Sequence, residues 1–94
     1  MKTVNHRLTI EFSGVEGAFL RILGLMERRG YHLQTCTLNR KPDGCCVVDV
    51  VVESDRKGDL LKRQLERLHD VTRVDLKAPA QQRAVRHINI HSRA

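Results

Sequence analysis

From Arg7 to Phe12 apolar and polar residues alternate, with Leu8, Ile10 and Phe12 on one face and Arg7, Thr9 and Glu11 on the other. This period of two predicts a half-buried strand. Ser13 and Glu16 then stand at the spacing of a capping box, in which each side chain satisfies a backbone N–H at a helix start. A helix is expected from about Gly14 to Arg29, with Phe19, Ile22, Leu23 and Met26 as its apolar stripe. Arg28 and Arg29 suit the carbonyl end, and Gly30 suits a left-handed cap. Gly17 and Gly24 each cost a helix interior about 1 kcal/mol relative to Ala. Gly24 is expected to let the helix approach a sheet closely.

A second strand, rich in Thr, is expected from Tyr31 to Asn39, and a third, nearly continuous in Val, from Cys45 to Glu53. Lys41-Pro42-Asp43-Gly44 between them is a turn with a mechanism, because Pro fixes φ and Gly accepts positive φ. Ser54 or Asp55 can cap a second helix ending near His69, with Leu60, Leu61, Leu65 and Leu68 facing inward. Val71 to Lys77 completes the pattern, with Val74 and Leu76 facing in. The order β-α-β-β-α-β predicts an α+β, ferredoxin-like domain over residues 1–78. Right-handed crossovers place both helices on one face of a four-stranded antiparallel sheet. The other face and the edge formed by the second strand are expected to be open. Residues 79–94 form a polar, basic tail, in which His87-Ile88-Asn89-Ile90-His91 suits either a short strand against a partner or disorder.

The net charge of +6 raises the question of nucleic acid. Half of it comes from Arg83, Arg86 and Arg93 in a tail without acids, whereas residues 1–78 hold 14 basic and 11 acidic groups. The central strands also lack aromatics on which bases could stack. The three cysteines, Cys36, Cys45 and Cys46, do not suggest a disulfide framework. Neighbouring strand residues face opposite ways, so Cys45 and Cys46 are poorly placed to share a metal. His6, His32, His69, His87 and His91 show no ligand spacing and are expected at half-exposed or surface positions. The loop after the first strand has no thiol for a soft metal and, with Glu16, repels phosphate. No nucleophile, base and orienting group recur together. These residues predict a cytoplasmic binding module without catalysis or membrane span.

The run Gly17-Ala18-Phe19-Leu20-Arg21-Ile22-Leu23-Gly24-Leu25-Met26-Glu27-Arg28-Arg29-Gly30-Tyr31 resembles the ACT domain of acetohydroxyacid (acetolactate) synthase small subunits. Gln34-Thr35-Cys36-Thr37-Leu38 is similar to that family's second strand. Ser54, Arg56, Asp59-Leu60-Leu61, Gln64-Leu65, Leu68, Asp70-Val71 and Val74 narrow the resemblance to the short small subunits of isozyme II, as do Gly30-Tyr31-His32-Leu33 and the short chain. The resemblance implies activation of a separate large subunit, which would carry thiamine diphosphate, Mg²⁺ and FAD in branched-chain amino-acid (valine, leucine and isoleucine) synthesis. This chain is expected to hold none of these cofactors. A free-standing ACT-type sensor acting on another enzyme is the competing reading.

The resemblance also implies an effector site at a dimer interface, on the loop entering the first helix. Gly14, Val15, Glu16, Gly17 and Ala18 form that loop, and His32 would complete the site. Helix-start N–H groups can receive a carboxylate, and Gly17 allows close approach. Valine-sensitive members carry side-chain amides where this chain has Gly14 and His32, so weak or absent branched-chain amino-acid binding is expected. A homodimer is expected too, through the edge residues Tyr31, Leu33, Thr35 and Thr37, in a strand that lacks Pro and bears charge only at its far end.

Overall fold

The computed structural model describes residues 3–77 and, as backbone, residues 87–92. Its elements are β1 (Val4–Ser13), α1 (Ala18–Arg28), β2 (His32–Arg40), β3 (Cys45–Ser54), α2 (Gly58–Glu66), β4 (Val71–Leu76) and β5 (His87–Ser92). The first six give the expected β-α-β-β-α-β order, with four antiparallel strands in one sheet. The seventh departs from expectation: β5 lies parallel to β2, Thr35 opposite His87 through Arg40 opposite Ser92. The sheet order is β4-β1-β3-β2-β5, so the β2 edge expected to be open is covered from Thr35 to Arg40. The remaining tail residues, 78–86 and 93–94, lie outside the described residues.

β1 and β3 form the centre, paired without a break from Val4 opposite Ser54 to Ser13 opposite Cys45. The alternation in β1 puts Leu8, Ile10 and Phe12 under the helices with Cys46, Val48, Val50 and Val52 of β3, all buried. Burying a side chain of this kind stabilises by about 1.5–3 kcal/mol. Thr9 and Asp49 face the other side, where the Thr9 hydroxyl donates to the Asp49 carboxylate. Cys36 and Cys46 are buried and Cys45 is half-buried, as expected for structural thiols.

The first helix starts later than the capping pattern predicts. Ser13 remains in β1, and its N–H donates to the Asp70 carbonyl at 2.8 Å, so it cannot serve as the cap. Gly17, at φ 82°, holds the N-cap position without a side-chain hydrogen bond. The stripe is also turned: Ala18, Ile22, Leu25 and Met26 are buried, and Phe19 and Leu23 are only partly so. Those four positions follow i, i+4, i+7, i+8, a face of the same width as the one read from the sequence but rotated about the helix axis by about 60°. The other end is as expected. Gly30, at φ 86°, donates to the Glu27 carbonyl at 3.2 Å, and the Tyr31 N–H donates to Met26 at 2.9 Å. These are the two bonds of a Schellman cap.

The second helix is shorter than expected, because Ser54 belongs to β3 and its hydroxyl accepts from the Arg56 N–H at 3.0 Å. Leu61 and Leu65 are buried, whereas Leu60 is exposed. The close approach expected of Gly24 occurs at Gly58 instead. A Cβ on Gly58 would lie 2.9 Å from His6 Nδ1 and 3.1 Å from Leu76 Cδ1. On Gly24 it would meet only the Arg28 guanidinium, at 3.0 Å. The turn at Lys41–Gly44 forms as read, with Gly44 at φ 89° and the Asp43 carboxylate accepting from the Cys45 N–H at 2.9 Å.

Tyr31 fastens the two helical segments together. It is fully buried, and its hydroxyl donates to the Lys57 carbonyl at 2.6 Å. Desolvation pushes this hydroxyl above its usual pKa of 10.0; Asp55 adds to the rise and Arg56 partly offsets it. Burial likewise pushes the Cys36 thiol up.

Two outcomes follow for stability. Gly24→Ala should stabilise by up to about 1 kcal/mol, since the long Arg28 side chain can move aside, while Gly58→Ala should destabilise by about 1–3 kcal/mol. Urea denaturation of both variants reads the difference. The folded chain holds the Tyr31 proton more tightly than the unfolded chain, so this contribution is fully present below pH 10.0 and is lost as pH rises through the folded value. Tyr31→Phe should cost about 1 kcal/mol at pH 7 and make the alkaline decline shallower, with Cys36 retaining part of it. Denaturation curves between pH 7 and 11 check both effects.

Candidate effector-binding site

The loop between β1 and α1 is held from both sides. The Gly14 N–H donates to the Gly44 carbonyl at 3.1 Å, fixing the loop to the β2–β3 turn. The Ala18 N–H donates to Val15 at 3.1 Å and the Arg21 N–H to Gly17 at 3.0 Å. Arg21 is ion-paired with Asp70, which ties α1 to the turn before β4.

This loop borders a cavity of about 160 Å³. Gly14, Val15, Glu16 and Gly17 form one wall, and Phe12, Phe19, Leu38 and Cys46 supply apolar surface. Leu20 and Arg40 complete it. Val15 and Leu20 are exposed, Leu20 to 72%. The cavity therefore combines one carboxylate, one guanidinium and an apolar floor. That combination matches the three parts of an apolar α-amino acid: ammonium, carboxylate and side chain.

Of the six residues expected at the site, Gly14, Val15, Glu16 and Gly17 meet at this cavity. Ala18 is buried beneath the loop, where it anchors the first turn of α1. His32 lies at the opposite end of β2, paired with Glu53, with its Nδ1 3.8 Å from Glu27. Eight strand steps of about 3.3 Å take His32 to Arg40, about 26 Å. Within one copy, therefore, His32 cannot join the loop. Arg40 was not expected at the site. Its only sequence signal was a charge at the end of an apolar strand, which equally suits a solvated edge.

Gly14 also has a structural role. A Cβ there would lie 2.4 Å from the Gly44 carbonyl oxygen and 3.2 Å from Cys46 Sγ. Backbone cannot yield as a side-chain tip can, so this loop has no room for a side chain at position 14.

The expected edge residues divide in the same way. Tyr31 belongs to the core. The Leu33 N–H donates to the Glu27 carboxylate at 2.9 Å. Thr35 and Thr37 pair with His87 and Asn89 of β5. Among the described residues no helix is long and apolar enough to cross a membrane.

The chain is thus a ferredoxin-like sheet with a concavity of about 160 Å³ beside its first loop. Residues 14–74 match the family model of the ACT domain, which covers well over half of the chain. The chain belongs to the ACT domain family, whose members are small amino-acid-binding regulatory domains without catalysis of their own. The ACT domain of a GTP pyrophosphokinase from Chlorobium tepidum has a similar fold. Its crystal structure superposes with a TM-score of 0.68 at 17% identity, covering 81% of this chain and 100% of that one. Its solution structure gives the same score and identity over 93% of this chain and 100% of that one. No curated protein matches the sequence.

Gly14→Ala tests whether the loop is packed as this geometry requires. It should destabilise by about 1–3 kcal/mol through the contact with Gly44, measured as a lower urea midpoint with an unchanged m-value.

Proposed function

We propose that this chain is the non-catalytic regulatory subunit of an acetolactate synthase, of the short isozyme II type. It binds a cytoplasmic, thiamine-diphosphate-dependent large subunit and raises its turnover. Thiamine diphosphate, Mg²⁺ and FAD belong to that large subunit.

One observation carries the reading: the residues of the resemblance form a connected set. Gly17 and Gly30 hold the left-handed positions that bound α1. Arg21, from the first block of the resemblance, pairs with Asp70 from the second. Tyr31 in turn reaches Lys57 within the second block. Two blocks distant in sequence thus make one structural unit, which supports treating them as one family pattern rather than as two coincidences.

Activation needs no chemistry from this chain. A bound subunit raises turnover if it binds the competent arrangement of the large subunit more tightly than the idle one. Arg63 and Arg67 on the exposed side of α2 are candidate contacts. Lys62 and Glu66 beside them already pair with each other, at 3.0 Å.

Feedback by valine is expected to be weak. Position 14 cannot carry the amide of valine-sensitive relatives, and position 32 carries an imidazole. Each unmet polar group costs about 1–3 kcal/mol, so two weaken binding by about 30-fold to 10⁴-fold. The single-copy cavity keeps Arg40 and Glu16 for the ends of an amino acid, but both are partly solvated.

Reconstitution with the cognate large subunit tests the reading. The rate of acetolactate formation should rise with added chain to a stoichiometric plateau, and millimolar valine should leave that plateau in place. A flat titration overturns the proposal. In that case the chain is an ACT sensor for a different enzyme, and purification of its partner would bring down an enzyme that does not use thiamine diphosphate.

A further inference from the structure

We infer that the exposed stripe along α2 is a docking surface for an extended, acidic protein segment that carries an apolar side chain among its carboxylates. That the segment belongs to the large subunit rests on the function proposed above; the chemistry of the surface does not.

The stripe follows from the helical period. Leu61 and Leu65 turn into the core, and the outward side of the helix brings Leu60, Arg63 and Arg67 into line at i, i+3 and i+7. Arg56 and Lys57, just before the helix, prolong that line. All five are exposed, Leu60 to 42%, and Leu60 is not among the side chains packed against the core. Leu60, Arg56, Lys57 and Arg63 border a shallow concavity of about 500 Å³ together with Asp55 and Asp59. From Lys57 to Arg67 the stripe is about 15 Å long, which matches about five residues of extended chain.

Its cations are available to a partner. Among the described residues, Arg56, Lys57, Arg63 and Arg67 form no ion pair. Lys62 and Glu66, further round the helix, neutralise each other and bound the surface. Arg56 joins the stripe to the end of α1, because a Cβ on Gly30 would lie 3.4 Å from its Nε. Arg29, exposed and likewise outside any ion pair, precedes that glycine. Arg29, Arg56, Lys57, Arg63 and Arg67 therefore face a partner against only Asp55 and Asp59, with one exposed leucine among them.

The two carboxylates and the leucine decide which anion fits. A nucleic acid presents a phosphate at every step, so it would meet Asp55 and Asp59 as well as the cations. The stripe also has no aromatic side chain on which a base could stack. A peptide can set its carboxylates against Arg56, Arg63 and Arg67, keep clear of Asp55 and Asp59, and lay an apolar side chain on Leu60. The charge pairs then steer the encounter and fix its register, and the apolar contact adds burial that a bare polyanion cannot supply. Docking of this kind activates the partner if the segment is presented better in its competent arrangement than in its idle one.

The test titrates the full chain, by fluorescence anisotropy, with three probes: a synthetic peptide of Glu and Leu, its counterpart of Lys and Leu, and a single-stranded DNA oligonucleotide. The parent should bind the Glu–Leu peptide. The double variant Arg63→Glu with Arg67→Glu should bind it about 10-fold to 100-fold more weakly and should bind the Lys–Leu peptide more tightly than the parent does, a reversal that a merely damaged fold would not produce. Leu60→Ser should weaken the Glu–Leu peptide about 10-fold without changing its salt dependence. Arg7→Glu, exposed on the far face of the sheet, should leave it unchanged. Absence of Glu–Leu binding, equal binding by the parent and the double variant, or an equal loss in Arg7→Glu overturns the inference. So does DNA binding that the double variant loses, which would make this a nucleic-acid surface, and so does self-association in sedimentation that the double variant loses, which would make it a contact between copies. None of these readouts involves acetolactate formation. A flat reconstitution with the parent chain therefore overturns the proposed function and leaves the peptide result standing, whereas a working reconstitution leaves the function standing whatever the peptides do.

Discussion

The unbroken pairing of β1 with β3 sets the position of everything else in this domain. Ten residues of each strand are in register. With side chains alternating every second residue, a slip of one position would turn Leu8, Ile10 and Phe12 out of the core together. β4 is placed by pairing with β1, β2 by pairing with β3, and the helices by the apolar face those strands share. The loop that forms the cavity depends on the same ladder. It leaves β1 at Ser13, opposite Cys45, and is bonded at once to Gly44 in the turn that starts β3.

The glycines show how a family pattern divides between folding and binding. Gly17 and Gly30 bound α1 in left-handed conformations that other residues adopt only under strain. Gly14 is small because the backbone of Gly44 lies against it, and Gly58 because α2 presses on His6 and Leu76. Gly14 and Gly17 both shape the chain and line the cavity. A residue in this loop is therefore not a ligand contact by position alone. The groups with chemistry to offer an amino acid are Glu16 and Arg40, and they arrive from different elements.

The charge of the chain has a similar division. The folded part is only mildly basic, and a few of its charges are internally paired, Arg21 with Asp70, Lys62 with Glu66 and Arg73 with Asp75. Exposed pairs of this kind contribute at most about 1 kcal/mol each, so their value lies in fixing orientation. The apolar contacts and the backbone ladder carry the stability. The net positive charge is consequently poor evidence for a nucleic-acid partner.

The sequence by itself determined the element order, the inward set of β1, the turn at Lys41–Gly44 and the cap at Gly30. Each depends on a local period or on a backbone preference that neighbouring residues impose. It also singled out the loop from Gly14 to Gly17, which borders the cavity. The start of α1 was misplaced because Ser13 has two uses, and a bond to Asp70, 57 residues away, took it for the strand. The close approach belonged to Gly58 and not Gly24, because only the packed sheet decides which helix face meets it. Arg40 lines the cavity and His32 does not, because the two ends of a strand are about 26 Å apart, a distance that nearness in sequence conceals. The cover on β2 was equally hidden. A strand edge is open or closed according to what the rest of the chain brings to it, and β5 comes from the far side of the sheet, where no local pattern in β2 could reveal it.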